Sequence, residues 1–140
     1  MQISNVLSKW QLVPLQFSQV DLAAAQTAVA LYVEEGTGTG TYVGIAMPFA
    51  GEIIGVSLTT TAAATAGSLT IVPTIDTTVV TLPSVAITTA VKGSATCKRA
   101  TNVFAKNAVI GAKITTTAAW DATGADLIAT VWVLQKIEGI

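Results

Sequence analysis

Met47–Pro73, MPFAGEIIGVSLTTTAAATAGSLTIVP, is the stretch on which the fold class turns. Pro48 and Gly51 punctuate its start, because neither continues a regular element comfortably. Ile54, Val56 and Leu58 then alternate with Gly55, Ser57 and Thr59, the period of a half-buried strand. Thr59 to Ala66 has no large side chain, and Gly67 closes that connection before a second apolar run, Ser68 to Val72. Ile53 to Ile75 is uncharged and long enough to cross a bilayer. Its six threonines, with Gly55, Gly67 and Pro73 and no basic flanks, instead fit two strands of a sheet.

Working outward, the same vocabulary recurs. Strands are expected at Thr41–Met47, Glu52–Thr60, Ser68–Ile75, Thr78–Leu82, Val85–Val91, Thr96–Arg99, Ala108–Thr116 and Leu127–Lys136. Turn residues separate them: Pro48 and Gly51, Gly67, Asp76, Pro83-Ser84, Lys92-Gly93, Lys106-Asn107 and Asp121 to Gly124. No run has the length of the amphipathic helix that a parallel βαβ unit needs. The pattern predicts an all-β, jelly-roll-like antiparallel sandwich or barrel. The last strand is apolar on both faces: Leu127, Ala129, Val131 and Val133 on one, Ile128, Trp132 and Leu134 with Thr130 on the other. It is expected to be covered on both sides, which makes Ile128, Trp132 and Leu134 candidates for a subunit interface.

Before the strands, Trp10, Leu12, Val13, Leu15 and Phe17 are interleaved with glutamines around Pro14. Pro14 excludes a central-strand role and holds Val13 extended. The segment reads as an extended N-terminal arm with apolar anchors that doubles as an edge strand. Residues 1–27 are accordingly assigned to the arm and 28–140 to a single β-domain. Asp21–Ala30 is alanine-rich and suggests a brief helical turn capped by Asp21, leading to a strand at Ala28–Val33. Glu34–Gly40, EEGTGTG, reads as a hairpin connection.

Composition bounds the function. Hydrophobic residues make up 51% of the chain and charged residues only 11%, against about 25% charged in an ordinary soluble domain. With a net charge of −1, such a surface has little self-repulsion, and cover by other subunits is the simplest expectation. No signal peptide is evident at the N-terminus. The chain has no histidine and one cysteine, so it lacks the commonest general base and metal ligand and has no intrachain disulfide.

The acids are poor catalytic candidates. Glu34-Glu35 would point to opposite faces of a strand, and Asp121 and Asp126 flank a turn where an Asx-type bond is expected. Asp76, Asp121 and Asp126 lack the spacing of a Ca²⁺ loop. Cys97 sits beside Lys98 and Arg99, neighbours that lower a thiol pKa, yet it has no catalytic companion. GTGTG lacks the Gly-Lys-Ser/Thr ending of a phosphate loop. Residues 91–119 carry Lys92, Lys98, Arg99, Lys106 and Lys113 and no acid, but Phe104 is their one aromatic. A nucleic-acid binder would show more stacking groups, so the segment is expected to meet an acidic patch on a partner or sister subunit. No catalytic, cofactor or metal residue is assigned.

From Met47 to Lys136 the order of motifs is MPF-x-GEIIGVSL, AAATAGSLTIVPTID, TNVFAKNAVIGAKITTTAAW and ADLIATVWV. This resembles the small jelly-roll or β-barrel modules of tailed-bacteriophage virion proteins, in which a "v-x-f-x-aGd-x-i-x-v-x-x-tt" segment precedes a final apolar strand. Phe104 to Gly111 supplies that spacing, and Ala112 stands where the family has an acid. The resemblance implies a non-enzymatic homotrimer that decorates (cements) the capsid exterior after assembly in the host cytoplasm. Its partner would be the major capsid protein, with no nucleic acid, membrane or cofactor, and the arm Trp10 to Phe17 would reach neighbouring subunits. Two alternatives stay open: a phage tail or fibre component, and a receptor- or carbohydrate-binding module in which an exposed Trp120 or Tyr42 stacks on a sugar.

Overall fold

A computed structural model of the chain describes residues 10–33 and 43–137; the first nine residues of the expected arm, the 34–40 connection and Tyr42 lie outside them. Eleven strands are described: β1 (Trp10–Gln19), β2 (Val29–Ala30), β3 (Ile45–Ala46), β4 (Gly51–Thr60), β5 (Leu69–Ile75), β6 (Thr78–Val79), β7 (Val85–Ile87), β8 (Lys92–Thr96), β9 (Val103–Phe104), β10 (Val109–Thr116) and β11 (Leu127–Lys136). No helix is present among the described residues, so none there is long and apolar enough to cross a membrane.

The strands form two antiparallel sheets. One has the order β1-β11-β4-β8, with β9 also on β4; the other has β2-β10-β5-β6, with β3 on β10 and β7 on β5. Following the chain, β1 lies in the first sheet, β2 and β3 in the second, β4 in the first, β5 to β7 in the second, β8 and β9 in the first, β10 in the second and β11 in the first. This alternation, with the first and last strands paired along β1–β11, is jelly-roll connectivity. The expected all-β jelly-roll class is the fold observed.

The core is made by alternate residues of the facing strands. Leu15 and Phe17 of β1, Ile53, Val56 and Leu58 of β4, Ile71 of β5, Ile110 and Ile114 of β10, and Leu127 to Val133 of β11 in steps of two belong to one buried cluster. One irregularity changes the sequence reading. Against β11, Val56 pairs with Val131 and Gly55 with Trp132, but Val133 pairs with Ile53. Ile54 is thus the extra residue of a β-bulge. The even-numbered alternation stops at Val56, Ile53 enters the core, and Ile54 is left half-buried.

Three other expectations are corrected. Asp21–Ala30 forms no helical turn: its amides are taken by distant acceptors, Leu22 by Ala125 O, Ala25 by Thr117 O, Gln26 by Thr116 Oγ1 and Ala28 by Thr115 Oγ1. Asp21, Ala25 and Ala28 adopt positive φ to reach them, so tertiary bonding overrides alanine's helix preference. Lys92-Gly93 is not a turn but the start of β8, and Thr96–Arg99 is not a strand. Gly93 marks a close approach of backbone and side chain: a Cβ there would lie 2.8 Å from Val85 Cγ1. Leu15 and Phe17, expected as arm anchors, are core residues of this chain, Phe17 being 1% exposed. β1 pairs with β11 over all ten residues, Trp10 with Lys136 through Gln19 with Leu127, as the edge strand of its sheet, with Trp10 and Leu12 left exposed.

Candidate functional site: the outer face of the β1-β11-β4-β8 sheet

Register places the outward side chains in rows across the first sheet. Leu12, Leu134, Glu52 and Val103 form one row; Pro14, Trp132, Gly55 and Thr96 the next; Gln16, Thr130, Ser57 and Ser94 a third; Ser18, Ile128, Thr59 and Lys92 a fourth. The first two rows, with Trp10 beyond them, are mostly apolar, and the last two carry mainly hydroxyl and amide groups. Of the expected interface residues, Trp132 and Leu134 fall in the apolar half and are half-buried. Ile128 stands 49% exposed among the hydroxyls. Of the expected arm anchors, Trp10 (44% exposed) and Leu12 (52%) join the same apolar half, and Val13 packs partly against the core. Expectations about an arm and about the closing strand therefore meet in one surface.

A pocket of about 250 Å³ opens in this half, lined by Leu12, Ile54, Gly55, Ser57, Thr96 and Trp132 among others. Its floor follows from the bulge and from Gly55. The bulge sets Ile54 beside it, while Gly55, opposite Trp132, leaves room under the indole. Trp132 Nε1 donates to Ser57 Oγ at 3.1 Å, which fixes the ring and satisfies its one polar group. What the lining offers a visitor is apolar contact, the chemistry of a site for a large aliphatic or aromatic side chain.

An ion pair sits in the row of Leu12 and Leu134. The Glu52 side chain is buried, accepts from Arg99 Nε and takes the Ala100 amide at 3.3 Å. The Arg99 guanidinium lies over the Trp10 ring, 4.7 Å from its centroid. Arg99 is thereby held between a buried carboxylate and an aromatic face, and its charge is offset within the chain. Sequence reading missed this cluster, because Glu52 and Arg99 are separated by 47 positions. The only hint was an acid inside an apolar strand.

The rest of the chemistry is structural. The basic residues of 91–119 do not converge: Lys92 is on β8 of one sheet, while Lys113 is on β10 of the other, where its Nζ donates to Thr77 O at 3.1 Å. Asp121 ties two loops together, accepting from the Thr65 amide and hydroxyl and the Ala66 amide. Those bonds, first from the Thr65 side chain, hold its carboxyl below the usual range. The bond expected within its own turn runs instead to the β4–β5 connection. Asp126 accepts from the Asp21 amide. Burial pushes the Cys97 thiol up, opposed by Asn102 and assisted by Glu52, so the lowering expected from Lys98 and Arg99 does not occur. Trp120 is 2% exposed and offers no surface to a sugar. No three acids or cysteines cluster to hold a metal among the described residues.

Among solved structures, the chain overlays a structure of Desmodium yellow mottle tymovirus over 91% of its own length and 80% of that chain, with a TM-score of 0.40 and 8% identity. It also overlays a marine algae virus of the order Picornavirales over 91% of its length and 69% of that chain, with a TM-score of 0.33 and 10% identity. Likenesses of this extent carry no argument about what the chain does. No family model and no curated protein matches it.

Proposed function

We propose that this chain is a structural virion protein that decorates the outside of a phage capsid as a homotrimer and holds its lattice together by apolar contact. The observation that carries the reading is the apolar half of the outer sheet face, which carries Trp10, Leu12, Trp132 and Leu134 and a pocket, lined in part by Leu12 and Trp132, for a large side chain. A cement protein adds stability through buried area and repeated attachment. Apolar burial contributes about 25 cal/mol per Å², and several linked copies raise effective concentration without new contacts. The sequence resemblance to phage virion modules points the same way, with the major capsid protein as partner. The carbohydrate-binding alternative has lost Trp120, and Tyr42 lies outside the described residues.

Deleting residues 1–20 would not be a clean test, since it would remove Leu15 and Phe17 from the core. The test is imaging of phage heads with and without the purified protein. Wild-type protein should add density at regular lattice positions. A folded Leu12→Lys/Leu134→Lys variant should not. Absence of wild-type density on the heads, or equal attachment by that variant, would remove the reading.

A further inference from the structure

The two edges of the β1-β11-β4-β8 sheet are protected very differently. At one edge β8 is five residues long and carries Lys92 and Gly93, features that discourage pairing with another chain. At the other edge β1 is ten residues long with the sequence WQLVPLQFSQ and no charge. Among the described residues its free side is met only at Ser18, whose amide and carbonyl both bond to Tyr32, at 2.8 and 2.9 Å. Those two bonds fix the parity of the strand. Backbone groups alternate, so Trp10, Leu12 and Gln16 also direct N–H and C=O away from β11, and Pro14 directs a carbonyl alone.

We infer that the free edge of β1 pairs antiparallel with β1 of a second copy, with Leu12 of each opposite Pro14 of the other. Several two-fold registers are conceivable, and the donors choose between them. Centring on Pro14 would set two residues without N–H against each other. Centring on Leu12 would set Gln16 opposite Ser8, beyond the described residues, and Trp10 opposite Pro14. With Leu12 opposite Pro14, Trp10 falls opposite Gln16 and exchanges both bonds, while the Leu12 amide donates to the Pro14 carbonyl. Every free donor of both strands is then used, and the proline's missing N–H falls where it leaves only one carbonyl unpaired per strand. The axis passes beside Val13, which faces its own copy as a non-hydrogen-bonded pair. On the outer side Leu12 meets Pro14 of the other copy, which extends the apolar half of the face. With no charge on either strand, the pairing desolvates none.

The contact is two-fold, so beside the proposed trimer it would join subunits of adjacent trimers. It rests on backbone groups alone and stands or falls separately from the decoration reading. A single strand pair is small beside the roughly 800 Å² per partner of a stable interface, so it forms at high local concentration. In a Cys97→Ser background, Val13→Cys should give a disulfide-linked dimer under mild oxidation of concentrated protein, since opposed Cα atoms in such a pair lie about 4.5 Å apart. Leu12→Cys, whose copy is a diagonal neighbour about 7–8 Å away, should not. Adding Gln16→Pro, which removes a free-edge donor and no bond to β11, should abolish the Val13→Cys product. Amide exchange should show Leu12 and Gln16 protected in concentrated protein and open in dilute. No Val13→Cys product, equal products from both cysteines, or protection that persists on dilution would each overturn the inference, the last by showing that the chain covers its own edge.

Discussion

β4 and β11 lie side by side in the same sheet and spend the same alternation on different ends. Inward, the two are alike: Ile53, Val56 and Leu58 face the core from one, Leu127, Ala129, Val131 and Val133 from the other. Outward they diverge. β4 shows Glu52, Gly55, Ser57 and Thr59, while β11 shows Ile128, Trp132 and Leu134. The inward set decides that the chain folds as a sandwich, because a one-residue slip would turn all of it to solvent. The outward set has no such duty, and its apolar character on β11 is what the proposed covering by other subunits rests on.

The sharpest way to break this contrast is to truncate one residue from each set. Ile53→Ala should cost about 2–5 kcal/mol, as buried Ile-to-Ala changes do. Leu134→Ala, at a half-buried position, should cost clearly less in the isolated subunit, about 1 kcal/mol. Denaturant melts of both variants under conditions that hold the protein monomeric would check the pair; equal losses would mean that the outer face is part of the fold's own stability.

A smaller effect is expected at the β4–β5 connection. Gly67 has φ +79°, and a Cβ there would lie 2.4 Å from the Trp120 amide nitrogen. Gly67→Ala should cost about 1–3 kcal/mol from backbone strain alone, read as a lowered denaturation midpoint. Gly124 also has positive φ but open space around it, and Gly124→Ala should cost less.

On the outer face, Arg99→Ala leaves the buried Glu52 carboxylate with the Ala100 amide. Because the Arg99 side chain is 57% exposed, solvent screening reduces the cost from that of a fully buried pair to about 1 kcal/mol. The same variant should free Trp10, visible as a change in tryptophan emission. Unchanged emission would argue against the guanidinium–indole stack.

The smallest effect is a pH dependence. Asp121 has a folded pKa below its ordinary value because Thr65 and Ala66 donate to the ionised form. Its contribution is therefore fully present above the ordinary carboxylate value near 3.8 and is lost as pH falls through the lower folded value. Asp121→Asn should flatten the acid limb of a stability-against-pH curve in that window. An unaltered limb would mean that the tie between the 61–67 and 117–122 loops carries no ionic component.

How far the chain could be read without coordinates follows from the same contrast. β4, β5, β10 and β11 were legible because each buries one face and so writes its period into the sequence. β8 was not, since Gly93 signals a turn by composition but serves a close approach to Val85. The bulge at Ile54 was invisible because Ile53 and Ile54 are both apolar and either satisfies the pattern. β1 was half legible: Pro14 announced an edge, but nothing local to Leu15 and Phe17 says that their partners are Val131 and Ala129. The site was legible on β11 and, as expected arm anchors, at Trp10 and Leu12 of β1. Arg99, Glu52, Val103 and the pocket floor come together only through pairing across the sheet.

The most direct test of a covered outer face is the mass of the protein in solution. Light scattering at micromolar concentration should give three times the chain mass for the wild type, and one chain mass for a folded Leu12→Lys/Leu134→Lys variant. A wild-type monomer, or a trimer that survives both lysines, would contradict the account.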